Sequence, residues 1–165
     1  MSFVGICLMD FNYRGLAING KTGKVLELFN KMEEVGAKPD DITFIGVLSA
    51  CSHGGLVKKG RQYFSLMSKV YHIEPKLEHC GCMVDLLGHA GLLVEVAELV
   101  EKIPNKKDEA LIPLYGSLLS SCRTNGNVEI GERMAQKLAQ LNQMSLVSIH
   151  SLQISMHRQT DGKMC

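Results

Sequence analysis

The sequence predicts an all-α fold, a solenoid of helical-hairpin repeats, and three features carry that prediction. Four glycines, Gly20, Gly55, Gly91 and Gly126, stand 35, 36 and 35 residues apart. Three columns keep step with them. Val25, Gly60, Val96 and Gly131 lie five residues on, Leu28, Tyr63, Leu99 and Met134 eight on, and Met32, Met67, Ile103 and Leu138 twelve on. Asn19, Gly54, Ala90 and Asn125 precede the anchors. One matching glycine would be chance, but four anchors with in-phase companions make a tandem array. Function must then be sought on a repeated surface, because each unit of such an array contacts only its neighbours.

Each unit reads as two helices. In the second, Asp40 and Asp41 can cap a helix whose apolar residues Phe44, Val47, Leu48 and Cys51 recur at three- and four-residue steps. Gly54 and Gly55 supply the left-handed turn that ends it. A second helix opens at Leu56, with Gly60, Tyr63, Phe64 and Met67 inward and Lys58, Lys59, Arg61 and Gln62 toward water. The chain breaks around Ile73, Glu74 and Pro75, since proline lacks an N–H and disfavours helix in the residue before it. The third unit repeats the pattern with Met83, Val84 and Leu87, then Leu92, Val96, Leu99, Val100 and Ile103, up to Pro104. The fourth does so with Tyr115, Leu118, Leu119 and Cys122, then Val128, Gly131, Met134, Ala135 and Leu138. Pro113 fits the first turn of that unit's leading helix, where no hydrogen bond is lost. The column of Gly60, Val96 and Gly131 is read as packing, small side chains that let the two helices of one hairpin approach closely.

Composition narrows the function. Lys plus Arg number 18 against 17 for Asp plus Glu, a net charge of +1, which argues against a strongly electrostatic nucleic-acid binder. Recognition through base edges and stacking is compatible with it. The six cysteines are Cys7, Cys51, Cys80, Cys82, Cys122 and Cys165. Cys51 and Cys122 share one repeat column and read as small buried apolar residues, so a reducing compartment is expected. No Cys-x-x-Cys exists, and Cys80-Gly81-Cys82 has the wrong spacing for a zinc knuckle, so no cofactor is expected. No apolar run has membrane-spanning length, and Met1–Phe11 resembles neither a secretory signal nor an Arg-rich transit peptide. The chain is expected to be an excerpt of a longer array.

Four stretches resemble a known family closely. Leu28 to Asp40, LFNKMEEVGAKPD, is similar to the end of a pentatricopeptide repeat. Thr43 to Val57, TFIGVLSACSHGGLV, resembles the long variant of that repeat in plant proteins, and Glu78 to Gly91, EHCGCMVDLLGHAG, the short variant that follows it. Gly116 to Arg123 with Gly126 to Arg133 is similar to the first E extension motif. The resemblance covers about residues 15 to 141 and implies a partial, divergent repeat over 1–40, a long repeat over 41–76, a short repeat over 77–108, an E-motif hairpin over 109–141 and a divergent tail over 142–165.

The resemblance implies a right-handed superhelix that binds single-stranded RNA in mitochondria or plastids, with the mitochondrion preferred, reading about one base per repeat. Members of this architecture mostly select sites for C-to-U RNA editing, with deamination supplied by a further C-terminal domain or by a deaminase-bearing partner protein. Such a domain needs His-x-Glu with Pro-Cys-x-x-Cys, since the zinc takes His and Cys ligands while the Glu moves protons. His72-Ile73-Glu74 is the lone His-x-Glu and has no Cys-x-x-Cys beside it, so this chain is expected not to be an enzyme. Carried over residue by residue, the RNA-reading positions are Asp10 and Asp40 for the first unit and Gly81 and Asp108 for the short unit, with Ile45 and Lys76 in the weaker-reading long unit. A terminal Asp favours uracil or guanine in the family's code. Helix capping is the competing role for Asp40 and Asp108. The competing fold is a tetratricopeptide-like protein-binding array, whose repeat is usually 34 residues and rich in a Trp-based pattern that this Trp-free chain lacks.

Overall fold

The computed structural model describes residues 22–103 and 108–141, and among them every regular element is a helix. These are α1 (Thr22–Glu34), α2 (Asp41–His53), α3 (Val57–Lys69), α4 (Leu77–His89), α5 (Leu93–Glu101), α6 (Asp108–Asn125) and α7 (Val128–Leu141). The chain divides into two compact units, Met1–Leu86 and Leu87–Cys165. Gly20 and the tail from residue 142 lie outside the described residues.

In the first unit α2 is the central element and packs against both α1 and α3. Its start is fixed by Asp40, whose Oδ1 accepts from the Thr43 N–H at 2.8 Å and from the Thr43 hydroxyl at 2.8 Å. An N-cap of this kind satisfies donors that the helix itself cannot. Phe44, Val47, Leu48, Ala50 and Cys51 are all fully buried, as befits a helix covered on two sides. Phe29 of α1 meets Phe44 at 5.6 Å and Tyr63 of α3 at 5.1 Å, both edge-on, so one ring ties three helices together.

Glycine closes these helices by one recurring device. Gly55, Gly91 and Gly126 have φ of 64°, 74° and 68°, and the next residue's N–H bonds back to Cys51, Leu87 and Cys122 at 2.9 Å in each case. That is the Schellman closure, which needs a left-handed residue. Gly36 does the same at the end of α1, with φ 70° and an Ala37 N–H to Met32 O bond of 2.9 Å. At the end of α3 the equivalent position, 36 residues on, is His72, which holds φ 54° without being glycine. The Ile73 N–H still reaches Met67 O at 3.0 Å.

The Gly60 column works differently from its sequence reading. A Cβ built on Gly60 would stand 2.2 Å from Leu86 Cδ2 on α4, the first helix of the next hairpin. The nearest atom of its own hairpin partner, Cys51 Cβ, is 3.6 Å away. The missing side chain therefore admits the neighbouring repeat more than it tightens the hairpin. Leu86 is 1% exposed, so its methyl could move aside only within the packed core.

In the second unit α6 and α7 pair, and α5 packs against both. Leu93, Val96, Ala97 and Val100 of α5 meet a core of Leu114, Tyr115, Leu118, Leu119, Cys122, Ile130, Met134, Ala135 and Leu138. Asn127 Oδ1 caps α7 through the Ile130 N–H at 3.0 Å. Asn125 Nδ2 donates to Gly88 O at 3.2 Å and to Ser121 O at 2.9 Å, joining α6 to the end of α4. One expectation needs correction. The helix begins at Asp108, so Pro113 lies inside it and not in its first turn. Leu111 to Leu114 belong to this helix, and Leu114 is buried.

Candidate nucleic-acid interface

The first helices of the first unit keep one face out of the core. On α2 it carries Asp41, Ile45 and Ser49, all half-exposed. On α4 the same four-residue step gives Leu77 and Gly81, half-exposed, and Asp85, exposed. Side chains four apart stand on one side of a helix, so each set forms a row. Asp40 and Lys76 stand at the head of the two rows, each immediately before its helix.

Those two residues solve the helix start in opposite ways. Asp40 caps α2 with its own carboxylate, as described. Lys76 has no acceptor to offer, and its backbone N–H instead donates to Nδ1 of His79 at 3.1 Å. This is the reach-back half of a capping box, with His in the place usually held by Glu or Gln. His79 is fully buried, and its Nε2 lies 2.9 Å from the carbonyl oxygen of Asp41. Because Nδ1 accepts, Nε2 carries the proton and donates it to Asp41 O. The Lys76 ammonium closes the ring by pairing with Asp41 Oδ2. Lys76 holds Asp41 below the usual carboxylate range, against the effect of burial, and Asp41 raises Lys76 in turn.

Of the residues expected to read RNA, Asp40 and Gly81 are therefore placed beside the accessible rows, as are Ile45 and Lys76. Asp10 lies outside the described residues. Asp108 is the first residue of α6, and its side chain lies outside them too. Sequence reasoning missed Asp41 and His79. Their signal was there, since Asp41 and Lys76 are 35 residues apart, one repeat, and His79 follows Lys76 at the three-residue step of a capping box.

Other chemistry-bearing groups have structural work. Burial pushes the thiols of Cys51, Cys82 and Cys122 up to about 11, which keeps them protonated and unreactive. Tyr71 is raised to about 12, first by burial and then by its 2.6 Å bond to Glu33. His72 and Glu74 are exposed on the turn after α3. Among the described residues no three His, Cys, Asp or Glu side chains gather into a metal-holding group. None of the described helices is long and apolar enough to cross a membrane.

Helical hairpins that recur at this spacing, closed by glycine at equivalent positions, define a helical-repeat protein. The chain belongs to the pentatricopeptide repeat family. The PPR repeat family model matches residues 14–36. A mitochondrial pentatricopeptide repeat-containing protein of Arabidopsis thaliana is 48% identical over 128 residues, 78% of this chain and 18% of that protein. A chloroplastic one from the same plant is 44% identical over 127 residues, 77% of this chain and 17% of that protein. A third is 50% identical over 127 residues, 77% and 23% of the two chains. The chain thus spans about a fifth of the length of the curated relatives it matches. Proteins of this family are in general RNA-binding and non-catalytic.

Proposed function

We propose that this chain is the RNA-reading repeat region of an organellar factor, in mitochondria or plastids, and that it selects sites for C-to-U editing. The observation that carries the reading is the placement of Asp40. Its capping bonds both fall on Oδ1, so the second carboxylate oxygen remains to accept from a base N–H while the helix start stays intact. Uracil and guanine present such a donor on their pairing edge. A single strand splayed along the first-helix rows would meet one repeat-end residue and one residue a turn inside the helix per base. By the family's pairing these are Asp10 and Asp40 for the first unit and Gly81 and Asp108 for the short unit, with Ile45 and Lys76 of the long unit reading more weakly. Gly81 brings no side chain, so at its base the partner residue at the end of that repeat, Asp108, has to supply the choice. The near-neutral charge fits recognition by base edges more than by phosphates.

The order of the repeat variants and the E-type hairpin over 109–141 support the editing role, with deamination supplied elsewhere in the full protein or by a partner. Disrupting the gene and sequencing all organellar transcripts tests this. Loss of C-to-U conversion at one or a few sites, restored by the intact gene, is expected. Full conversion at every site, with altered cleavage or abundance of a transcript instead, would contradict the editing role while leaving RNA binding in place.

A further inference from the structure

We infer that Asp41 and His79 withhold the Lys76 ammonium from the phosphates of a bound RNA strand. The inference rests on the first-helix rows being the RNA surface. Asp40 and Lys76 occupy equivalent places, and a lysine at the head of a row, with its side chain 58% exposed, would ordinarily be drawn to a phosphate. Here its ammonium is paired with Asp41 Oδ2, which cancels the charge and sets an anion where the strand would pass.

An exposed ion pair holds little by itself. What makes this one persistent is the buried imidazole beneath it. His79 grips the backbone of both partners, Asp41 through its carbonyl and Lys76 through its N–H. The two side chains therefore start from fixed positions within reach of each other, and little freedom is lost when they pair. Asp41 is on α2 and Lys76 heads α4, so the same contacts set the register of one repeat on the next. Glu78, exposed in the first turn of α4, adds further negative charge near Lys76 and strengthens the withholding. Asp41 and His79 are thus positioning residues for the Lys76 ammonium.

The test selects an RNA ligand for the unaltered chain from a randomised single-stranded pool, then measures its affinity across a range of KCl concentrations. Asp41→Asn should tighten binding several-fold at low salt and steepen the slope of log affinity on log salt by about 0.7, the value for one added phosphate contact on a single strand. Adding Lys76→Ala should return both to their starting values. Asp41→Ser, which also suits a helix start, should behave like Asp41→Asn and covers the case in which one variant folds poorly. If Lys76→Ala alone flattens the slope by about 0.7, Lys76 already sits on a phosphate and the inference is overturned. An Asp41→Asn chain with unchanged slope overturns it as well. Failure of the unaltered chain to enrich any RNA would instead remove the RNA reading itself.

Discussion

His79 donates from Nε2 to the carbonyl oxygen of Asp41 at 2.9 Å, from one helix start to the one before it. Its other nitrogen receives the Lys76 N–H, so the ring satisfies two backbone groups at a repeat junction and is itself fully buried. Removing it leaves both groups unpaired beside a hole. His79→Ala should lower unfolding stability by about 2–4 kcal/mol. His79→Phe keeps the volume and should still lose about 1–3 kcal/mol, because it cannot pair either group. Urea unfolding measures both. A Phe variant as stable as the parent would mean the two hydrogen bonds carry no weight.

Gly60 and Gly116 make a matched pair for the packing account. Gly60→Ala would press a methyl group into Leu86 and should cost about 1–3 kcal/mol. Gly116 is exposed on α6 with nothing within 4 Å of a built Cβ, so Gly116→Ala should stabilise by about 0.5–1 kcal/mol. Thermal melts of the two variants should move in opposite directions.

His72 stands where Gly36 stands one repeat earlier and pays a steric cost for its φ of 54°. His72→Gly should relieve a left-handed strain of about 1–2 kcal/mol, offset in part by a freer unfolded chain. A small net gain in melting temperature is expected. A clear loss would show that the imidazole makes a contact worth more than the strain.

The buried thiols should be slow to react. Burial raises Cys51 and Cys122 from 9.0 to about 11, so below pH 9 the thiolate is about 100-fold scarcer than for an ordinary cysteine. The sign follows from desolvation. The folded state prefers the neutral thiol, and the stability this brings is fully present below the unfolded value and lost as pH rises between 9.0 and about 11. Iodoacetamide labelling at pH 8, followed by peptide mass analysis, should find both sites protected until denaturant is added. Prompt labelling of the folded chain would contradict the burial.

Much of the fold was legible because the repeat writes each structural rule several times. Gly55, Gly91 and Gly126 announced their turns, and the apolar steps on α2, α5 and α7 announced the core. What escaped was held by contacts between repeats. That Gly60 makes room for Leu86 cannot be read from either helix alone, since the two are joined only by stacking. His72 escaped because the glycine column of Gly36 is broken there, and the closure survives through backbone bonds that do not depend on the side chain. The start of α6 was placed late because Pro113 reads as a first-turn residue, whereas the burial of Leu114 and Tyr115 holds it inside the helix. Family likeness pointed to Asp40, Gly81, Ile45 and Lys76, which lie in or at the head of the accessible rows of α2 and α4. The Asp41, Lys76 and His79 ring was not, because it is a relation between helix starts one repeat apart.

The central claim is that Asp40 reads a base, and substituting it tests that most directly. Asp40→Asn keeps the size and the capping chemistry while replacing one carboxylate oxygen by a group that donates. Selection from a randomised single-stranded RNA pool with the parent and the variant should show a changed preference at one position and the same preferences elsewhere, with stability within about 0.5 kcal/mol because Asn caps nearly as well as Asp. An identical preference profile in the two selections would leave Asp40 as a helix cap and contradict the account.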